Sequence, residues 1–190
     1  MGIIAGAIAL SAFIPFIIAI LKGTAKPSII TWTTWTAVNI LLLKSYYDSG
    51  ARNTLWLPVA FLVGDSIISL LSFKYGEKII TTLDKVVIAL VTINILGILI
   101  LSYDKNTVLS LSVVTLVIGS VPTIKKSWLR PQNEDTVAWS IFGIAAVVNL
   151  FSIEDWTKIE IITHPLYAVV VDVSVAMILL CKRKQSTFLI

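Results

Sequence analysis

Seven continuous apolar runs, separated by short polar breaks, organise this sequence. They cover about residues 2–21, 29–47, 55–73, 85–103, 107–124, 137–153 and 163–181. The apolar side chains follow one another without the strict alternation of a half-buried strand, so the runs predict helices. About 20 apolar residues in a helix cross the hydrocarbon core of a bilayer. Helices and closed barrels are the two structures that satisfy their backbone there, and a barrel strand is an alternating segment of about ten residues. The expected fold class is all-α: a polytopic membrane protein with seven transmembrane helices.

Composition narrows this further. Of 190 residues, 57% are hydrophobic and 14% are charged, and the mean hydropathy is +0.92. Soluble domains carry about 25% charged residues, and disordered chains carry too little apolar surface to collapse. Seven spans with short loops use nearly the whole length, which leaves no room for a soluble catalytic domain. The first run lacks a basic segment before it and a small-residue cleavage site after it, so it reads as a span rather than a signal peptide. The single cysteine, Cys181, has no internal partner and says nothing about redox compartment.

The charges orient the chain. With the N-terminus outside, eleven basic residues fall on inside segments: Lys22 and Lys26; Lys74, Lys78 and Lys85; Lys125, Lys126 and Arg130; Lys182, Arg183 and Lys184. Lys44, Arg52, Lys105 and Lys158 fall outside. The positive-inside rule therefore predicts an integral membrane protein with its N-terminus outside and C-terminus cytoplasmic. The net charge of +4 serves orientation, and no nucleic-acid partner is expected.

An internal repeat emerges when the chain is compared with itself at an offset of 107 residues. Pro15 then meets Pro122, Trp32 meets Trp139, Pro58 meets Pro165 and Asp65 meets Asp172, without a gap. Trp35 meets Phe142, and Thr33 meets Ser140. These residue types are scarce here, so the coincidence marks two three-helix units. They divide the chain into unit one at 1–73, an inner loop and linker helix at 74–106, unit two at 107–181 and a basic cytoplasmic tail at 182–190. A single intervening helix gives both units the same direction. This is a parallel repeat about an axis along the membrane normal, with a solute site expected near the midplane between the units.

The 3+1+3 layout, with its outside N-terminus and a proline late in the first helix of each unit, resembles the SWEET and PQ-loop transporter clan. Pro15-Phe16 and Pro122-Thr123 stand where the name-giving dipeptide would be. The resemblance implies transport of a small polar solute by alternating access. Asp65 and Asp172 look like the paired polar position on the third helix of each unit. Sugar carriers of the clan have Asn there, and proton-coupled relatives use acidic residues. Vitamin transporters of the Pnu type and a peptide-binding receptor share the layout, so a passive sugar or vitamin facilitator and a non-transporting receptor are the rival readings.

Asp65 and Asp172 each fall near the middle of a span. An ionisable group there costs a few kcal/mol or more unless it meets water or a partner, and no basic residue in any span is available to pair with it. The pair reads as a proton or cation site, against the alternative of a protonated Asp bonded to a neighbouring carbonyl. Ser69 and Ser72 extend a polar stripe below Asp65. Asn39 and Asn149 are candidate pathway residues, whereas Asn94 in the linker helix reads as a packing residue. Trp35 is a candidate solute contact. Trp32 and Trp139 are gates or interfacial anchors. Pro15 and Pro122 are hinges or static kinks, and Pro58 and Pro165 read as first-turn prolines. Gly2 and Gly6, with Ala5 and Ala9, form a small-residue face for close packing, with a homo-oligomer as the weaker reading. His164 is placed at the outer membrane edge. No metal-ligand cluster, phosphate loop or Ser/His/Asp set is present, so neither a cofactor nor enzymatic activity is expected.

Overall fold

A computed structural model describes residues 1–77 and 80–187, with side chains described through Lys182. Lys78 and residues 188–190 of the basic tail lie outside the described residues, as do the side chains of Arg183 and Lys184. The described residues are all-α, with seven α-helices, α1 Gly2–Leu21, α2 Ile29–Asp48, α3 Trp56–Tyr75, α4 Thr82–Leu99, α5 Lys105–Leu129, α6 Thr136–Leu150 and α7 Ile159–Thr187, and a short 3-10 turn at Pro131–Asn133. Every predicted run has its helix. The largest differences are at α5 and α7, where polar ends extend the helices beyond their apolar stretches.

Side-chain caps fix several of these starts. Ser28 accepts from the Thr31 amide at α2, Asp104 from Asn106 and Thr107 at α5, and Asp135 from Ala138 at α6. Thr81 and Asp84 form a reciprocal capping box at α4, satisfying donors that a helix start leaves open.

Five helices, α1, α3, α4, α5 and α7, are long and apolar enough to cross a membrane. The other two fall short for different physical reasons. α6 has 15 residues, about 22 Å at 1.5 Å per residue. α2 has the length but carries a Thr-Trp-Thr-Thr-Trp-Thr segment and Asn39. Its polar content turns inward: Thr31, Thr34 and Asn39 are buried. The outside of the bundle is apolar instead, with Ile14 and Ile18 on α1, Leu70 on α3, Val117 on α5, Ile144 on α6 and Val170 on α7 all exposed. An apolar exterior around a more polar interior fits a lipid environment.

Successive connections gather at opposite ends. At the lysine-rich end, the amide of Lys26 donates to Asn133 O at 3.1 Å and that of Glu77 to Pro27 O at 2.8 Å. The α1–α2, α3–α4 and α5–α6 connections therefore meet there. At the other end, Glu154 bonds the 52–54 turn, and Lys105 Nζ donates to Asp48 O at 2.9 Å. Packing follows a matched pattern. α1 packs on α6 and α2 on α5; α1 on α3 and α5 on α7; α2 on α3 and α6 on α7. α4 stands apart, packed on α5 and α2, with Asn94 Nδ2 donating to Ser112 Oγ at 2.9 Å.

The small-residue face of α1 is used inside the protomer. Gly2 faces the carbonyl of Asn53, and a Cβ on Gly6 would lie 2.8 Å from the carbonyl oxygen of Trp56. Ala5 and Ala9 are fully buried. This face seats the start of α3 and is not free for a second copy. Gly6→Ala forces backbone apart and should lower stability by about 1–3 kcal/mol. Thermal unfolding in detergent measures this, and an unchanged midpoint would contradict the close approach.

Candidate functional site

Six helices converge on one internal cavity. Asp65 reaches it from α3, Asp172 from α7, Asn39 and Trp35 from α2, and Trp139 from α6. Rings build most of the remaining wall: Phe13, Trp32, Phe61, Phe142 and Tyr167. Phe13 and Phe142 meet edge-on at 4.7 Å between centroids, as do Trp32 and Trp35 at 5.1 Å. Such T-shaped pairs are the favoured aromatic geometry. The water-accessible volume is about 30 Å³, room for one or two waters.

The polar groups around this space are incompletely satisfied. Asn39 Nδ2 donates to Asp65 Oδ2 at 3.0 Å, so one carboxylate has a donor from the facing helix. Asp172 is 7% exposed and Asn39 3%, yet Asp172 Oδ2 and Asn39 Oδ1 have no hydrogen-bond partner. Trp35 Nε1 and His164 Nδ1 are also unpartnered. Of the eight such buried atoms among the described residues, half belong to residues lining this cavity. Native interiors leave few polar atoms unpaired, and each asks for an explanation. Among the described residues no Lys or Arg lines the space.

The remaining sequence candidates lie elsewhere. Ser69 hydrogen-bonds Thr33 at 2.8 Å, tying α3 to α2, and Ser72 Oγ donates back to Ser69 O. Neither lines the cavity. Asn149 is fully buried near the end of α6, where its Oδ1 accepts from Ser152 Oγ at 2.8 Å, also outside the cavity. Trp32 and Trp139 are buried at 4% and 2% exposure, which excludes a lipid-facing belt position. Pro15 and Pro122 lie inside continuous helices. Pro58 is in the first turn of α3, but Pro165 is interior to α7, which begins four residues earlier than its apolar run.

His164, near the start of α7, is 1% exposed and lines the cavity between Tyr46 and Tyr167, with ring centroids at 5.8 and 6.0 Å, so it faces the interior of the bundle. Helical spacing carries a signal for this: His164, Tyr167 or Ala168, and Asp172 recur on one face. Phe13, Phe61 and Tyr167 were illegible as site residues, because an aromatic within an apolar run reads as lipid-facing or core.

Polar contacts tie the connections together at both ends of the bundle. At the lysine-rich end, Lys126 Nζ lies 2.7 Å from Glu134 Oε1 and donates to Lys26 O at 2.5 Å. Glu134 Oε2 accepts from Trp139 Nε1 at 2.9 Å, joining these contacts to the cavity wall. Asn133 and Arg130 both reach Glu77. At the opposite end, the Glu154 carboxylate accepts from the Arg52, Asn53 and Thr54 amides and from Thr54 Oγ1. Partial burial pushes its carboxyl up, but these donors outweigh that and hold it below the usual carboxylate range.

Compared with known proteins, the chain matches no family model, no curated protein and no solved structure.

The Glu154 bonds favour the ionised form, so their stabilisation is complete above the ordinary carboxylate range and is lost as pH falls through the folded value. Glu154→Gln should lower stability at neutral pH by about 1 kcal/mol. The gap between wild type and variant should narrow below about pH 4. Thermal unfolding in detergent across this range checks both. A gap that is constant with pH would contradict the assignment.

Proposed function

We propose that this chain is a membrane transporter that moves a small polar solute by alternating access, with Asp65 and Asp172 as its proton or cation site. The observation that carries this reading is the cavity between six helices. Its buried carboxylates have no cationic partner, and its unpaired acceptors await a ligand. A static core gains nothing from unpaired Asp172 Oδ2 and Asn39 Oδ1, whereas a site that exchanges ligands needs such atoms.

The architecture proposed is SWEET-like: α1–α3 and α5–α7 as two parallel units, with α4 as the linker. The matched pairwise packing and the 107-residue coincidences support it. All seven helices cross the membrane in this reading, including the short α6 and the polar α2, which occupy corresponding places in the two units. The lysine-rich end faces the cytoplasm, which puts the N-terminus outside. Lys126–Glu134, with Trp139, closes the inner side, and Glu154 on the 52–54 turn closes the outer side. Pro15 and Pro122 are the hinges. A proton and a cationic part of the solute compete for the carboxylates, while His164 and Tyr167 are the other titratable groups facing them. Catalysis and a cofactor have no part in this reading.

Proteoliposomes holding a pH dye test it with cationic amino acids, cystine, sugars and nucleosides outside. One solute should acidify the lumen, and Asp65→Asn or Asp172→Asn should reduce that signal to the level of empty vesicles. Undiminished coupling in the double variant would overturn the role of the pair. Uptake of labelled solute that is insensitive to pH would point to a passive facilitator instead.

A further inference from the structure

We infer that the cavity selects a small organic amine: a cation with N–H donors and an apolar or aromatic body, and no carboxylate of its own. This rests on reading the cavity as the solute site. Three features define the ligand. First, the charged groups of the wall are two carboxylates, Asp65 and Asp172, and no Lys or Arg joins them among the described residues. A solute that brings an anion has nothing there to neutralise it, and like charges at close range in a desolvated site repel strongly. An amino acid therefore fits poorly, even a cationic one, because its α-carboxylate would sit beside two others.

Second, Asp172 Oδ2 and Asn39 Oδ1 are buried acceptors without donors. A protonated primary or secondary amine supplies N–H groups that such acceptors lack, as charge-assisted bonds at the carboxylate. A quaternary ammonium would leave them unpaired. Third, most of the wall is aromatic: Trp32, Trp35, Trp139, Phe13, Phe61 and Phe142. Ring faces attract a desolvated cation and bury an apolar body. They offer few partners for the hydroxyls of a sugar, each of which loses water bonds on entry. The small present volume, about 30 Å³, means the rings must part to admit the solute, so the aromatic side chains report occupancy.

The test uses the purified full-length protein in detergent and in proteoliposomes, with three probes: 2-phenylethylamine, phenylalanine and glucose. Phenylalanine carries the same body plus a carboxylate. Binding is read by tryptophan fluorescence, because Trp32, Trp35 and Trp139 line the cavity, and flux by labelled probe. The amine should bind in preference to the other two. Asp172→Asn should bind it roughly 10- to 100-fold more weakly, and Asp172→Glu should restore most of the loss. Binding of phenylalanine or glucose in preference to the amine overturns the inference. So does amine binding unchanged in a folded Asp172→Asn, or no binding of any probe. Amine binding without flux keeps the selectivity and overturns the transport reading. Flux of glucose or phenylalanine without amine binding overturns the selectivity and leaves transport standing.

Discussion

Two carboxylates held deep in an apolar bundle without a cationic partner set the terms for the rest of this structure. Removing a carboxylate from water is expensive, and a partner on the protein is the usual remedy. Here the fold supplies one amide donor, from Asn39 to Asp65, and leaves Asp172 Oδ2 open. The deficit is tolerable if a mobile charge fills it. On the proposed transport reading, that requirement accounts for a neighbouring wall built of rings, which make few competing hydrogen bonds. It also explains why polar residues of α2 turn inward and leave the outside of the bundle to aliphatic side chains.

The same deficit gives the closures at the two ends their meaning. Both are polar and both join elements from the two halves of the chain. Glu134 links Lys126 to Trp139, so a change in the cavity wall acts directly on the ion pair at the lysine-rich end. Glu154 holds the 52–54 turn through backbone amides, beside the glycines of α1 that seat the start of α3. A buried pair costs several kcal/mol to break by removing one partner. A carboxylate on exposed amides is worth about 1 kcal/mol.

Much of the fold was legible because lipid solvation imposes a simple rule on sequence. Continuous apolar runs mark all seven α-helices of the described residues, and scarce residues at a fixed offset single out Asp65 and Asp172, which the structure brings to one cavity. Asn39, Trp35, Trp32 and Trp139 were also found, each being out of place in a lipid-facing helix. The failures share a cause. Ser69 and Asn149 are polar within spans, but their hydrogen bonds go to Thr33 and Ser152, and sequence does not say which polar group finds a neighbour. His164 lines the cavity near the start of α7, and hydropathy alone does not separate such a wall residue from an interfacial one. Phe13 and Phe61 carry no signal that separates a cavity wall from a lipid face. Glu134 lies between two apolar runs, and its link to Trp139 depends on the turn that precedes α6.

The proposed alternating-access transport requires that charge at the Asp65–Asp172 site bias which end of the bundle is open. Spin-label distances in lipid nanodiscs test it most directly. In a Cys181→Ser chain, one label pair at Lys22 and Gln132 spans the lysine-rich end, and another at Asp48 and Thr157 spans the opposite end. The account predicts a short and a long distance for each pair. The populations should shift in opposite senses at the two ends when pH changes, and the shift should vanish in Asp65→Asn/Asp172→Asn. A single pH-independent distance at both ends would contradict it.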